Sequence, residues 1–186
     1  MKKLLYILPL LLAGLVNAQD YNEYQIFQLK ALKGVEKFGV YVWEPDALLT
    51  SQGITQDSLY VMVKERIAIP EECLVDFADA NKIEGSPSLE VEATAYPTAD
   101  GKNAALHTAV RFIQDVILDR DRSVRHYSAI TWERDSLTII PPHLLSFETV
   151  TTLEFLLDNF SKDFLYMNPE MIPDSTSDST SVSDEN

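Results

Sequence analysis

Between Ser146 and Phe164 the chain sets Val150, Leu153, Leu156, Leu157, Phe160 and Phe164 along one face of a helix. A continuous apolar stripe of that length cannot stay in water, so the fold must give it a broad apolar surface to cover. Asn168-Pro169 supplies the stop, since proline disfavours helical backbone in the residue before it. Everything upstream can be read as a search for that surface.

Strand-like alternation provides it. Leu89, Val91, Ala93 and Ala95 alternate with Glu90, Glu92, Thr94 and Tyr96, which predicts a strand buried on one face. In Val35 to Trp43 the residues Phe38, Val40 and Val42 fall on one side, and Gly39, Tyr41 and Trp43 on the other, with Pro45 ending the run. Residues 25–43 thus read as an entry segment followed by a strand. Gly53 and Thr55 offer a loop and an N-cap, and Leu59, Met62, Val63 and Ile67 follow at helical spacing until Pro70. Leu74 to Phe77 is a candidate short strand.

The run AALHTAVRFIQDVIL, residues 104–118, fits either periodicity. Its β-branched content and the Asp100-Gly101 turn before it favour a strand. DRDRS makes the next turn, and YSAITWER returns as a strand that SLTII can continue. The expected fold is therefore α+β, in two layers. An antiparallel sheet of about four strands carries two helices packed on one face.

The termini differ from this body. Lys2 and Lys3 precede an apolar run from Leu4 to Val16, and Val16-Asn17-Ala18 offers the small residues of a signal-peptidase site. Thirteen apolar residues span about 20 Å as a helix, short of the roughly 30 Å bilayer core. Residues 1–18 are accordingly expected to be a cleaved signal peptide, and the product to be exported to the periplasm or exterior, not spanning the membrane. No cysteine follows the small residues, which argues against a lipoprotein. Residues 19–169 would form one domain. The stretch 170–186 is rich in Ser, Thr and Asp without a basic or aromatic residue, and is expected to be a disordered acidic tail.

The full chain carries 15 basic and 29 acidic residues, for a net charge of −14, and −16 without the two signal lysines. Nucleic acid and anionic lipid are poor partners for such a chain, because phosphate neutralisation needs clustered Lys and Arg. Cys73 is the one cysteine, so no internal disulfide can form.

Several motifs resemble a group of small exported bacterial proteins without established function. They are LKALKGVEKFGVYV, GITQDSLYVMVKERI, the strands bearing ATAYP and AITWER, and NFSKDFLYMNP, which together reach across most of residues 29–169. The resemblance implies a second short strand after the first helix, falling here in EECLVDFADA. The order strand, helix, strands, helix is also similar to envelope-assembly lipoproteins and transport-auxiliary proteins. That likeness is one of topology, and a fold does not fix a function.

Catalytic signatures are not legible. DRDRS opens like a calcium loop, but Val124 and Ile130 stand where glycine and glutamate belong, so a hairpin turn is the better reading. His107, His126 and His143 lack the spacing of a zinc site. Cys73 lies among Glu71, Glu72 and Asp76, whose charges suppress the thiolate. No catalytic residue, metal ligand or cofactor site is assigned. The candidate partner-binding residues are Tyr41, Trp43, Tyr96 and Trp132, aromatics expected on the sheet face away from the helices, Trp132 depending on register. The expected function is a non-enzymatic binding or envelope-assembly domain. Its partner would be an envelope protein, a lipidic molecule or a second copy. The alternative is a small secreted hydrolase or sugar-binding enzyme whose carboxylates converge only in three dimensions. The competing expectation, and the favoured one for these rings, is that segments flanking the sheet, including the stretch before Val35, cover them.

Overall fold

The structure is a computed structural model that describes residues 22–172. The expected signal peptide lies outside the described residues, as does the tail beyond residue 172. The described residues form five α-helices and five strands. They run α1 (Glu23–Leu32), β1 (Phe38–Val42), α2 (Ala47–Ser51), α3 (Gln56–Arg66), β2 (Leu74–Val75) and α4 (Phe77–Ala80). β3 (Ser88–Pro97), β4 (Ala104–Leu118), β5 (Asp121–Ile140) and α5 (Leu145–Met167) complete the order.

The strands form one sheet in the order β2-β1-β3-β4-β5. The class is α+β as expected, but the sheet is mixed rather than antiparallel. β1 lies parallel to both β2 and β3, while β3, β4 and β5 are antiparallel neighbours. The reason is the connection: the chain leaves β1 through α2 and α3 before returning, and such crossovers join parallel strands where hairpins cannot. The ambiguous run 104–118 is strand throughout, and β5 continues without a break through SLTII.

One face of the sheet holds the core. Val40 and Val42 of β1 pair with Leu89 and Val91 of β3, and these with Phe112 and Val110 of β4, while Phe38 pairs with Leu74 of β2. α5 lays its stripe over them. The Phe38 ring sits 5.4 Å from Phe112, 5.8 Å from Phe160 and 5.4 Å from Phe164, mostly in edge-on geometry. α3 adds Leu59 and Val63 to the same cluster, and Arg66 at its end pairs with Asp158 of α5.

α1 stands where the sequence predicts an entry segment. Its start is a capping box, in which Asn22 and Gln25 exchange side-chain and backbone hydrogen bonds. Its last turn is tied to the end of α5 by Asn168, which donates to the Leu32 carbonyl at 2.9 Å and accepts from Gly34 N–H at 2.7 Å. The expectation of two helices on one face is corrected in a second way, because α4 lies on the opposite face. There Gly39 allows the close approach: a Cβ at that position would stand 2.8 Å from Ala80 Cβ and 3.0 Å from Phe77 Cα. Among the described residues, no helix is long and apolar enough to cross a membrane.

Candidate functional site

The sheet face opposite α5 is built from cross-strand rows whose composition the register fixes. One row runs Tyr41, Glu90, Arg111, Glu133, and the next joins Glu92, Ala109 and Asp135. Beyond it lie Thr94, His107 and Leu137, then Tyr96, Ala105 and Ile139. This face is therefore a charged band with an aromatic cluster on one side and an apolar corner on the other.

Arg111 holds the band together. Its guanidinium donates to Glu133 at 2.6 Å and to Glu92 at 2.5 Å. Burial works against its charge, but the hydrogen bonds and negative charges of the two glutamates outweigh burial and raise its pKa. Asp135, in the next row, has the His107 ring 3.8 Å away and is largely exposed.

The aromatic cluster joins Tyr41, Trp43 and Phe77. Trp43 meets Tyr41 edge-on at 5.2 Å, and Tyr41 in turn lies 4.7 Å from the Phe77 ring of α4. The indole N–H of Trp43 donates to Glu90 at 2.9 Å, which fixes the ring over the band while leaving it 46% exposed. Beside Phe77 a hollow of about 270 Å3 is lined by Ser88, Glu90, Asp115, Tyr127 and Ser128.

The apolar corner is more open. Tyr96 is 65% exposed, Leu137 72% and Ile139 66%. Tyr96 lies four residues along β3 from Glu92, about 13 Å. It shares the face with Trp43 but not the cluster.

Trp132 does not belong to this face. Its position pairs with Phe112, so its side chain falls on the core side, fully buried and 5.1 Å from the Phe160 ring. The indole N–H donates to Asp163 of α5 at 3.0 Å, and Arg134 lies 5.0 Å over the ring while reaching Asp163 at 3.2 Å. Of the four candidate aromatics, the fold brings Tyr41 and Trp43 together, sets Tyr96 apart on the same face and places Trp132 in the core. The stretch before Val35 covers none of the three on the open face. It forms α1, packed on β5 and α5, and Gln28 of α1 accepts a hydrogen bond from Arg134. α4 is the segment that partly covers Tyr41.

Leu137 and Ile139 were missed because SLTII reads as a continuing strand without a stated face. Their alternation with Ser136 and Thr138 puts the two on one face, but by polarity it would assign them to the buried one. Cys73 is buried, and its thiol pKa is pushed up by burial first and then by the Glu72 charge, with Lys37 opposing. The DRDRS segment forms the β4–β5 hairpin turn, with Asp121 accepting from the Ser123 N–H and hydroxyl. Among the described residues, no three His, Cys, Asp or Glu side chains gather where they could hold a metal ion. A second hollow, of about 470 Å3, is lined by Lys33, Glu36, Lys37, Glu84 and Gln114 at the far edge of the molecule from Tyr96.

No known protein family, no curated protein and no solved structure matches this chain.

Proposed function

We propose that this chain is an exported, non-enzymatic binding or envelope-assembly domain that holds a protein partner on the open face of its sheet. Export rests on the signal-like residues 1–18, with release rather than lipid anchoring because no cysteine follows Ala18. The observation that carries the binding reading is the pairing, on the face that α4 covers only in part, of the Tyr41–Trp43 cluster with the exposed corner of Tyr96, Leu137 and Ile139. Exposed aromatic anchors beside apolar surface give an interface most of its energy.

The charged band chooses the partner's chemistry. Glu90, Glu92, Glu133 and Asp135 gather in this band around Arg111, which pairs with Glu92 and Glu133, so the band favours basic side chains and disfavours anionic headgroups. A protein with exposed lysines or arginines around an apolar contact fits better than an anionic membrane surface. The test is affinity purification of the processed protein from crosslinked native envelopes, with Trp43→Ala and Tyr96→Ala variants in parallel. One partner recovered with the native chain and lost with the variants is the expected result. The same partner recovered with every form would remove the sheet face from the proposal. Trp132→Ala is no control for this face, because it opens the core.

A further inference from the structure

β5 is twenty residues long and pairs with β4 alone, so its other edge presents a row of backbone donors and acceptors without a strand partner. Strand edges usually carry protection in the form of lysine, proline, bulges or brevity, and of these β5 has the bulges where its register with β4 shifts. β5 has neither Lys nor Pro between Asp121 and Ile140. It is also half outside the body of the sheet. β3 reaches only to the Ser88–Ile113 pair, and Ile113 pairs with Ile130, so residues 114–129 of the hairpin extend as a two-stranded arm.

Charge along this strand is divided. The arm half carries Arg122 and Arg125 against Asp121, with His126 beside them, and the body half carries Glu133 and Asp135 on the open face against Arg134 on the core side. Arg125 lies toward that same face, where it reaches Asp115 at 3.1 Å and lies 5.6 Å from the Tyr127 ring. An edge with a basic half and an acidic half is self-complementary when two copies meet antiparallel, since a two-fold axis sets each half against its opposite.

We propose that two copies of this chain associate by antiparallel pairing of their β5 edges, extending the sheet across a two-fold axis near Ile130. With the axis there, Arg125 faces Asp135 of the other copy and Tyr127 faces Glu133. Ile130, 52% exposed, meets its own counterpart. The backbone of β5 is irregular on both sides of that axis, with Thr131 left without a β4 partner between the Trp132 and Ile130 pairs and Ser128 at φ of +55°. A second copy is the occupant that this charge pattern selects. An ordinary acidic partner would answer the arm and be repelled by the body half, and a basic one the reverse. The whole chain is strongly acidic, so self-association needs such local opposition to overcome the repulsion between copies. This pairing does not rest on the binding reading above, which concerns the sheet face and not its edge.

The test is sedimentation equilibrium of the processed protein over a wide concentration range, with circular dichroism to confirm that each variant folds. The native chain is expected at twice the monomer mass. Ile130→Lys, which sets like charges on the axis, should weaken association by at least about tenfold. Ile130→Cys in a Cys73→Ala background should give a disulfide-linked dimer on mild oxidation, whereas Phe147→Cys, an exposed control on α5, should not. A monomer at every concentration overturns the proposal. So does a dimer indifferent to Ile130→Lys, or one that Ile130→Cys cannot trap. Trp43→Ala should leave the mass unchanged, so loss of the dimer and loss of the sheet-face partner are separately readable.

Discussion

The two tryptophans of this chain show how one residue type takes opposite roles by strand position. Trp132 is fully buried against Phe160 with its indole N–H on Asp163, whereas Trp43 keeps nearly half its surface in solvent. Trp132→Ala should cost about 3–5 kcal/mol, the range for deleting a large buried ring. Trp43→Ala should change stability by about 0.5 kcal/mol or less, as expected of a surface position. Trp132→Phe separates packing from polarity, because it keeps most of the ring but leaves Asp163 without its indole donor, at about 1–3 kcal/mol. Urea unfolding of the three variants checks the ordering, and equal losses for Trp43→Ala and Trp132→Ala would contradict the assigned faces. Sequence alone could not place Trp132, and the reason lies in its strand. In β5 the inward positions include Arg134, Ser136 and Thr138, and the outward ones include Leu137 and Ile139, so alternation points the wrong way. Inward polar groups are tolerated there because Arg134 finds Gln28 of α1 and Asp163 of α5.

Elements with strong periodicity or strong punctuation were legible, and those held by distant partners were not. α5 and β3 emerge from their spacing because each buries one continuous face. α3 was signalled by Thr55, which caps it as part of a reciprocal pair with Ser58. α1 escaped because Tyr24, Ile26 and Phe27 stay exposed, so its apolar residues draw no single stripe, although Asn22 and Gln25 at capping-box spacing were a usable sign. α2 is too short to signal itself by periodicity and depends on Asp46. One Asp46 carboxylate oxygen accepts from Leu48 and Leu49 N–H, and the other accepts from Ala95 N–H on β3, past the point where β1 ends. Asp46 therefore replaces both a helix's missing acceptor and a strand's missing neighbour. Asp46→Ala should cost about 2 kcal/mol, at the upper end of ordinary cap deletions. Asp46→Asn, which retains an acceptor, should recover part of the loss in thermal unfolding. If Asp46→Ala were as stable as the native chain, the cap would have no structural weight.

At the scale of the whole molecule, the sheet divides two kinds of chemistry. The side under α5 is an aromatic and aliphatic core, and the other is a carboxylate-rich band with apolar ground at its margins. Cations on that band are few, and the chain as a whole has 29 acidic residues against 15 basic ones. Mutual repulsion among so many carboxylates favours expanded states over the compact one. The ion pairs that oppose it, Arg111 between Glu92 and Glu133 and Arg66 with Asp158, act over short distances, while the repulsion is summed over long ones. Salt screens long-range terms first: at about 0.15 M the screening length is roughly 8 Å, longer than a contact pair but shorter than most separations across the molecule. Adding sodium chloride at neutral pH should therefore raise the thermal midpoint by a few degrees, and most of the gain should come at low ionic strength. Arg111→Gln should lower the midpoint, and its deficit should shrink as salt is added, because the uncompensated glutamates then repel each other less. A native midpoint that falls steadily with salt would mean that short-range ion pairs, not net charge, dominate the electrostatics of this fold.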